Sequence, residues 1–172
     1  MSWAWIVGII VVFLGLSVMR GAPYVPSQKR YIKQALTKLY TLTAKDVLVD
    51  LGSGDGIVLR LASKYKAQAI GYEINPVLAL ISKILSFNDH RVQVRMADFW
   101  STDLPSNTTV VYIFITSGYL KKLSRKMQSE ADRLDRPLKI IMYGATFDDR
   151  IPEKNLGAYS LHTFFPLQIK KA

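Results

Sequence analysis

The run Asp50-Leu51-Gly52-Ser53-Gly54-Asp55-Gly56 follows directly on the apolar residues Val47-Leu48-Val49, and no other stretch constrains the fold of this chain as strongly. An apolar β-rich run ending in alternating glycines reads as a buried parallel strand, a tight turn and a helix. That is the arrangement that receives a nucleotide-like ligand at the carboxyl end of a sheet. Its spacing separates the cofactor classes. A dinucleotide fold requires a last glycine that lets the helix pack on the strand, in the pattern Gly-x-Gly-x-x-Gly. Counted from Gly52 that position is Ile57, and counted from Gly54 it is Leu59. A phosphate-cradling loop requires Lys and then Ser or Thr after its last glycine, where Ile57-Val58 stand.

What remains is an acid at the strand tip followed by three alternating glycines, which resembles motif I of the class I S-adenosylmethionine-dependent methyltransferases. Gly52, Gly54 and Gly56, with Ser53 between them, let the backbone approach a ligand and take up positive φ. Asp50 can meet the cofactor's ammonium group or hydrogen-bond the loop that holds it. The alternative is a strand-to-turn loop whose glycines serve geometry alone.

A length of 172 residues suits one domain, and a hydrophobic fraction of 49% is ample for its core. Part of that fraction lies elsewhere. Trp3 to Met19 carries no charged residue and would reach roughly 26 Å as a helix, the short end of a bilayer span. Trp3, Trp5 and Tyr24 stand near its ends, where interfacial aromatics belong. A cleaved signal peptide would want Lys or Arg before the apolar run, and only Met1-Ser2 precede it. A buried or peripheral helix is the third option. Because Arg20, Lys29, Arg30 and Lys33 follow the run, the expectation is a single-pass membrane protein with its catalytic domain on the cytoplasmic or matrix side. The formal net charge of +10 suits nucleic acid or an anionic membrane face. Beside an apolar anchor, membrane lipid is the simpler partner, and no aromatics interleave with basic residues as in a nucleic-acid module. The absence of cysteine excludes disulfides, thiolate metal sites and a cysteine nucleophile, and with only His90 and His162 no metal centre is expected.

Residues 1–20 are thus read as a transmembrane anchor, 21–45 as a connector with a helix, and 46–172 as the catalytic domain. Pro23 and Pro26 break the anchor helix. Ser27 can cap a second helix to about Tyr40, its stripe made of Tyr31, Ala35 and Leu39 with Ile32 and Leu36. From Val47 onward β-rich runs alternate with helical patterns, the signature of an α/β fold. Strands are expected at Val47–Leu51, Ala67–Glu73, Val92–Val94, Val110–Ile115 and Leu138–Tyr143, with one or two more over Tyr159–Ile169. Helices are expected after the glycines, from Asn75-Pro76 to about Phe87, and over Ser117–Leu134. The result is a Rossmann-like, mostly parallel sheet of about six to seven strands, whose short tail predicts a trimmed antiparallel end.

Two more acids end strands. Glu73 can accept from both ribose hydroxyls of an adenosine, with Asn75 nearby; a solvated strand-end carboxylate is the alternative. Asp98 falls after the third strand, where such an acid typically lies near an adenine amino group with its neighbour, Phe99, packed on the ring. A turn-forming or helix-capping Asp is the alternative there. Successive strand ends share one edge of the sheet, so the three acids form a coherent adenosyl site.

Together with the glycine run, Gly71-Tyr72-Glu73-Ile74-Asn75-Pro76, Asp98-Phe99-Trp100 and the connector Pro23-Tyr24-Val25-Pro26-Ser27 resemble the small membrane-anchored protein-lysine methyltransferases that act on the ATP synthase c subunit and the adenine nucleotide translocase, and their prokaryotic relatives. Two positions depart from that pattern: Ile57 stands where Arg is expected, and Phe99 where Leu is expected. The resemblance implies S-adenosylmethionine as cofactor and transfer of its methyl to a lysine of a membrane or membrane-proximal protein. No dedicated base is obvious. Tyr24 and Tyr119 could orient the amine, and Thr116 lies where the fourth strand meets the active edge, with packing or capping as alternative roles. The Asn/Asp-Pro-Pro-Tyr run of many enzymes that methylate base amino groups is replaced by Phe114-Ile115-Thr116-Ser117, which argues against a nucleic-acid substrate. Lipid or small-molecule methylation at the membrane, and a non-catalytic cofactor-binding scaffold, are the rival readings.

Overall fold

The computed structural model describes residues 28–167 together with Trp3 and Gly8. Apart from Trp3 and Gly8, the anchor expected over 1–20 lies outside them, as do the connector with Tyr24, the Ser27 cap and the last residues of the terminal strand. Among the described residues no helix is long and apolar enough to cross a membrane.

Helix α1, Lys29–Gln34, starts behind Gln28 and runs on as a π-helical turn, Ala35–Leu39. Strand β1 (Val47–Leu51) leads through the glycine turn into α2 (Ile57–Lys64); β2 (Gln68–Glu73) leads into α3 (Pro76–Leu85) and β3 (Val92–Met96). Strand β4 (Val110–Phe114) is followed by a single 3-10 turn, Ser117–Tyr119, then by α4 (Leu120–Leu134) and β5 (Leu138–Tyr143). Strands β6 (Lys154–Leu156) and β7 (Tyr159–Phe164) close the fold. The seven strands form one sheet in the order β3-β2-β1-β4-β5-β7-β6. The first five are parallel, and β7 runs antiparallel to both β5 and β6. The antiparallel end is therefore present, trimmed to a three-residue β6.

Period-two alternation sorts the sheet's side chains. On one face Leu48, Val110, Tyr112, Ile141 and Leu161 pack beneath Ile32 and Leu36 of α1 and Val58 and Leu61 of α2. On the other, Val49, Leu51, Val111, Ile113 and Ile140 pack beneath Leu123, Met127 and Ala131 of α4. The apolar stripe of α1 is as the sequence predicts except for Tyr31, which is exposed.

The entry to β1 is held by Asp46. Its Oδ1 accepts from the Tyr40 hydroxyl at 2.7 Å and the Thr109 hydroxyl at 2.8 Å, and its Oδ2 accepts from the backbone N–H and hydroxyl of Thr43. Burial alone would raise this carboxyl, but the hydrogen bonds outweigh it and hold it below its usual range. An acid depressed in the folded state contributes stability above its unfolded pKa of about 4, and that contribution is lost as pH falls through the folded value. Asp46→Asn is therefore expected to cost about 1–3 kcal/mol at neutral pH. Denaturant melts of the two proteins should converge below pH ~4; a constant gap into acid would refute the assignment.

Candidate active site

Strand order reverses between β1, which runs to β2, and β4, which runs to β5. Open parallel sheets take ligands at the carboxyl ends of the strands flanking such a switch point, and the glycine turn stands there.

The turn's backbone is fixed from β2. The N–H groups of Gly52 and Ser53 both donate to the carbonyl of Tyr72, at 2.9 and 3.0 Å. Gly52, Gly54 and Gly56 all have positive φ. Gly56, the residue before α2, shows the tightest constraint: a Cβ there would fall 2.1 Å from Ser82 Oγ of α3. A Cβ on Gly71, in the middle of β2, would meet Ser53 Oγ at 2.5 Å and Leu59 at 2.6 Å, so β2 must be bare for the turn to lie against it. A Cβ on Gly52 would meet nothing within 4 Å, which leaves open space on the ligand side of the turn.

Register assigns the acids. Asp50 pairs with Gly71 on β2, so Glu73 two residues on points to the same face. The role the sequence suggests for Asp50, bonding the loop, is performed by Glu73. Glu73 Oε2 accepts from the Gly54 N–H at 2.8 Å, and its Oε1 accepts from the Asn75 N–H at 2.8 Å. Asn75 in turn caps α3, its Oδ1 accepting from the N–H groups of Val77 and Leu78. Asp50 is buried, and among the described residues no donor reaches its carboxylate. Burial raises its pKa well above the ordinary value, and the nearby charges of Glu73 and Asp55 add to the shift.

Asp98 is exposed and forms a turn: its Oδ1 accepts from the Trp100 N–H at 2.9 Å, and its carbonyl accepts from the hydroxyls of Ser101 and Thr102. Phe99 stacks on Trp100, with ring centroids 4.5 Å apart, and Tyr119 approaches Trp100 from the 3-10 turn at 6.1 Å. Thr116 is exposed at the end of β4.

A row of aromatics that the sequence reasoning missed stands on the same face as Asp50. Tyr112 is its register partner on β4, Phe114 pairs with Tyr143 on β5, and Tyr143 pairs with Tyr159 on β7. The Tyr143 and Tyr159 rings are 4.7 Å apart, Phe114 and Tyr143 5.5 Å, and the hydroxyls of Tyr112 and Tyr159 lie 3.1 Å from each other. Burial raises the Tyr159 pKa, with the charges of Tyr143 and Asp50 adding to it. The available signals were the aromatics at positions 112 and 114 of one strand and a glycine inside another, but neither says which strands meet.

The strand order, with the glycine turn at its switch point, is that of a class I methyltransferase fold. The family profile of the ANTKMT methyltransferase domain matches residues 50–138, and the chain belongs to that family. It is 30% identical over 138 residues to the ATP synthase c-subunit lysine N-methyltransferase of Xenopus laevis, a match covering 78% of this chain and 58% of that protein. It is also 29% identical over 122 residues to a protein-lysine N-methyltransferase of Saccharolobus islandicus, covering 67% of this chain and 73% of that one. The chain thus spans between 44% and 61% of the length of the vertebrate relatives it matches, 58% for the frog protein and 61% for the rat one. Among solved structures, an RNA methyltransferase from Salinibacter ruber bound to S-adenosyl-L-homocysteine superposes with a TM-score of 0.71 at 24% identity, over 86% of this chain and 98% of that one. At that identity the likeness speaks for the fold alone.

Proposed function

We propose that this protein transfers a methyl group from S-adenosylmethionine to the side-chain amine of a lysine in a membrane or membrane-proximal protein. The observation that carries the proposal is the pairing, on one face of the sheet beside the glycine turn, of a buried carboxylate that no donor reaches among the described residues with an aromatic row. Such an acid fits a cationic ligand, and Ser53 Oγ, buried and without a hydrogen-bond partner among the described residues, offers a further polar contact. Asp50 is assigned to the cofactor's ammonium group. Glu73 is assigned to the ribose while it holds the turn. Asp98 with Phe99 is assigned to the adenine, Gly52, Ser53, Gly54 and Gly56 to the cradle, and Asn75 to keeping Glu73 and α3 in register. When bound, the cofactor supplies a methyl on sulfonium that needs no further activation.

The chain's own task is then to present an unprotonated amine and keep water out. Free lysine titrates near ~10.4, and an apolar channel disfavours its charged form. Phe114, Tyr143 and Tyr159 offer such a wall. Their faces also receive an ammonium by cation–π attraction before it loses its proton. Thr116, Tyr119 and Tyr24 are assigned to orienting the amine. The lysine of an ATP synthase c subunit, the substrate named for the curated relatives, is the first candidate acceptor. Membrane attachment through the uncharged run Trp3 to Met19, with the domain on the cytoplasmic or matrix side, completes the proposal.

The test is incubation of the purified chain and radiolabelled cofactor with membranes from cells lacking it. Label on a protein lysine supports the proposal, label in the lipid extract redirects it to lipid methylation, and absence of saturable cofactor binding by calorimetry overturns it. Tyr143→Leu is expected to leave cofactor affinity unchanged while lowering kcat/KM for the acceptor by about tenfold or more. Equal losses in cofactor affinity would make Tyr143 a structural residue.

A further inference from the structure

Helix α3 inverts the usual amphipathic arrangement. Its small residues Ala79 and Ser82, and Ser86 just beyond its end, face the protein and are buried. Its large apolar residues point outward: Leu80 is 57% exposed, Ile84 64% and Phe87 86%, and Val77, Ile81 and Leu85 are exposed with them. Val77, Leu80, Ile81 and Ile84 stand at i, i+3, i+4 and i+7, so they form one stripe. The inner face is small because α3 lies against the glycine turn, where Ser82 Oγ occupies the space of a Gly56 side chain. Among the described residues no core contact accounts for the outer stripe, and a contiguous apolar patch of this kind marks an interaction surface.

Two observations choose its occupant. The stripe is aliphatic with one phenylalanine and has no hydrogen-bonding side chain, whereas interfaces between proteins are enriched in Tyr, Trp and Arg; hydrocarbon requires no polar partner. The charges around it are basic. Between Ile74 and Ala97 the one carboxylate is Asp89, against Lys83, Arg91 and Arg95. Asp89 Oδ1 is already engaged by the Ser63 hydroxyl at 2.8 Å and the Arg91 N–H at 3.1 Å. The Ser63 contact also brings the end of α2, with exposed Lys64 and Lys66, to the end of α3. An apolar stripe rimmed by lysine and arginine suits the headgroup–acyl boundary of an anionic bilayer.

We propose that the outer face of α3 is a lipid-binding surface, resting in the interface of an anionic membrane. It is separate from the uncharged N-terminal run, and it stands whether or not the acceptor is a lysine.

The chain has no cysteine, so single cysteines can be introduced into the full-length protein. An environment-sensitive fluorophore on Ile84→Cys is expected to shift to an apolar environment in protein-free anionic vesicles and to be quenched by lipid-borne quenchers. The same label on Ser129→Cys, on the exposed side of α4, should stay in water. Adding Leu80→Glu should cut the quenching at position 84 about tenfold, because a carboxylate resists transfer out of water, with the far-ultraviolet dichroism unchanged. A water-exposed label at position 84 while the chain sediments with vesicles overturns the proposal. So does protection without lipid that grows with protein concentration, which would assign the face to a second copy of the chain.

Discussion

Glu73→Ala is expected to weaken S-adenosylmethionine binding by about 1–3 kcal/mol and to destabilise the protein by a similar amount, since buried donors left unpaired carry their full desolvation cost. The two losses come from one carboxylate. Glu73 is buried at the end of β2, and its two oxygens accept from the Gly54 and Asn75 N–H groups. The first bond shapes the glycine turn, and the second sets the residue that caps α3. Removing the side chain thus loosens the cradle and the helix beside it, as well as any contact to a ribose. Glu73→Gln keeps one acceptor and should recover part of the stability and less of the affinity. Calorimetric titration and thermal melts of both variants check this. Near-wild-type affinity in the alanine variant would show that the site lies elsewhere.

Asp50→Asn is expected to separate the two properties that Glu73→Ala lowers together. Burial, and then the charges of Glu73 and Asp55, raise the Asp50 pKa in the folded chain. Between the unfolded pKa of ~4 and its own raised pKa, the ligand-free folded state therefore holds a proton that the unfolded state has released. Stability contributed by that proton is present below the unfolded pKa and is lost as pH rises through the folded value. Asparagine carries no charge to bury, so the ligand-free variant should melt higher than wild type once pH exceeds the folded pKa, by about 2–4 °C for each kcal/mol regained at this size. Cofactor affinity should fall by about 1–3 kcal/mol, the ammonium having lost its charged acceptor. The combination of higher melting temperature and weaker binding identifies a residue kept for its ligand. If both fall together, Asp50 is a structural group.

These two acids also mark how far the sequence could be read. Both were legible because each stands at the end of an apolar run beside a turn signal, Gly52-Ser53-Gly54 in one case and Asn75-Pro76 in the other. Their division of labour was not. The sequence offers Asp50 as a group able to bond the loop, and that role falls to Glu73, because only the β1–β2 register carries its carboxylate under Gly54. Asp98 was legible as an acid following β3 with a turn-forming role among its alternatives, and it does form a turn, its Oδ1 accepting from the Trp100 N–H. Tyr143 and Tyr159 carried no signal at all: Tyr143 meets Phe114 through the parallel β4–β5 register, and Tyr159 meets Tyr143 through an antiparallel strand that no local pattern assigns to β5.

The sequence by itself determined the strand–glycine–helix unit, the alternation that makes a parallel sheet, and the acids at its strand ends, because turn chemistry and hydrophobic period act over a few residues. Only the tertiary structure decided which side chains share a face. Strand order and register set that, and they come from contacts between segments far apart in the chain. The same reason explains α3: its period announces a helix, but which stripe turns inward was chosen by the close approach of Ser82 to Gly56, and that contact left the large apolar side chains outside.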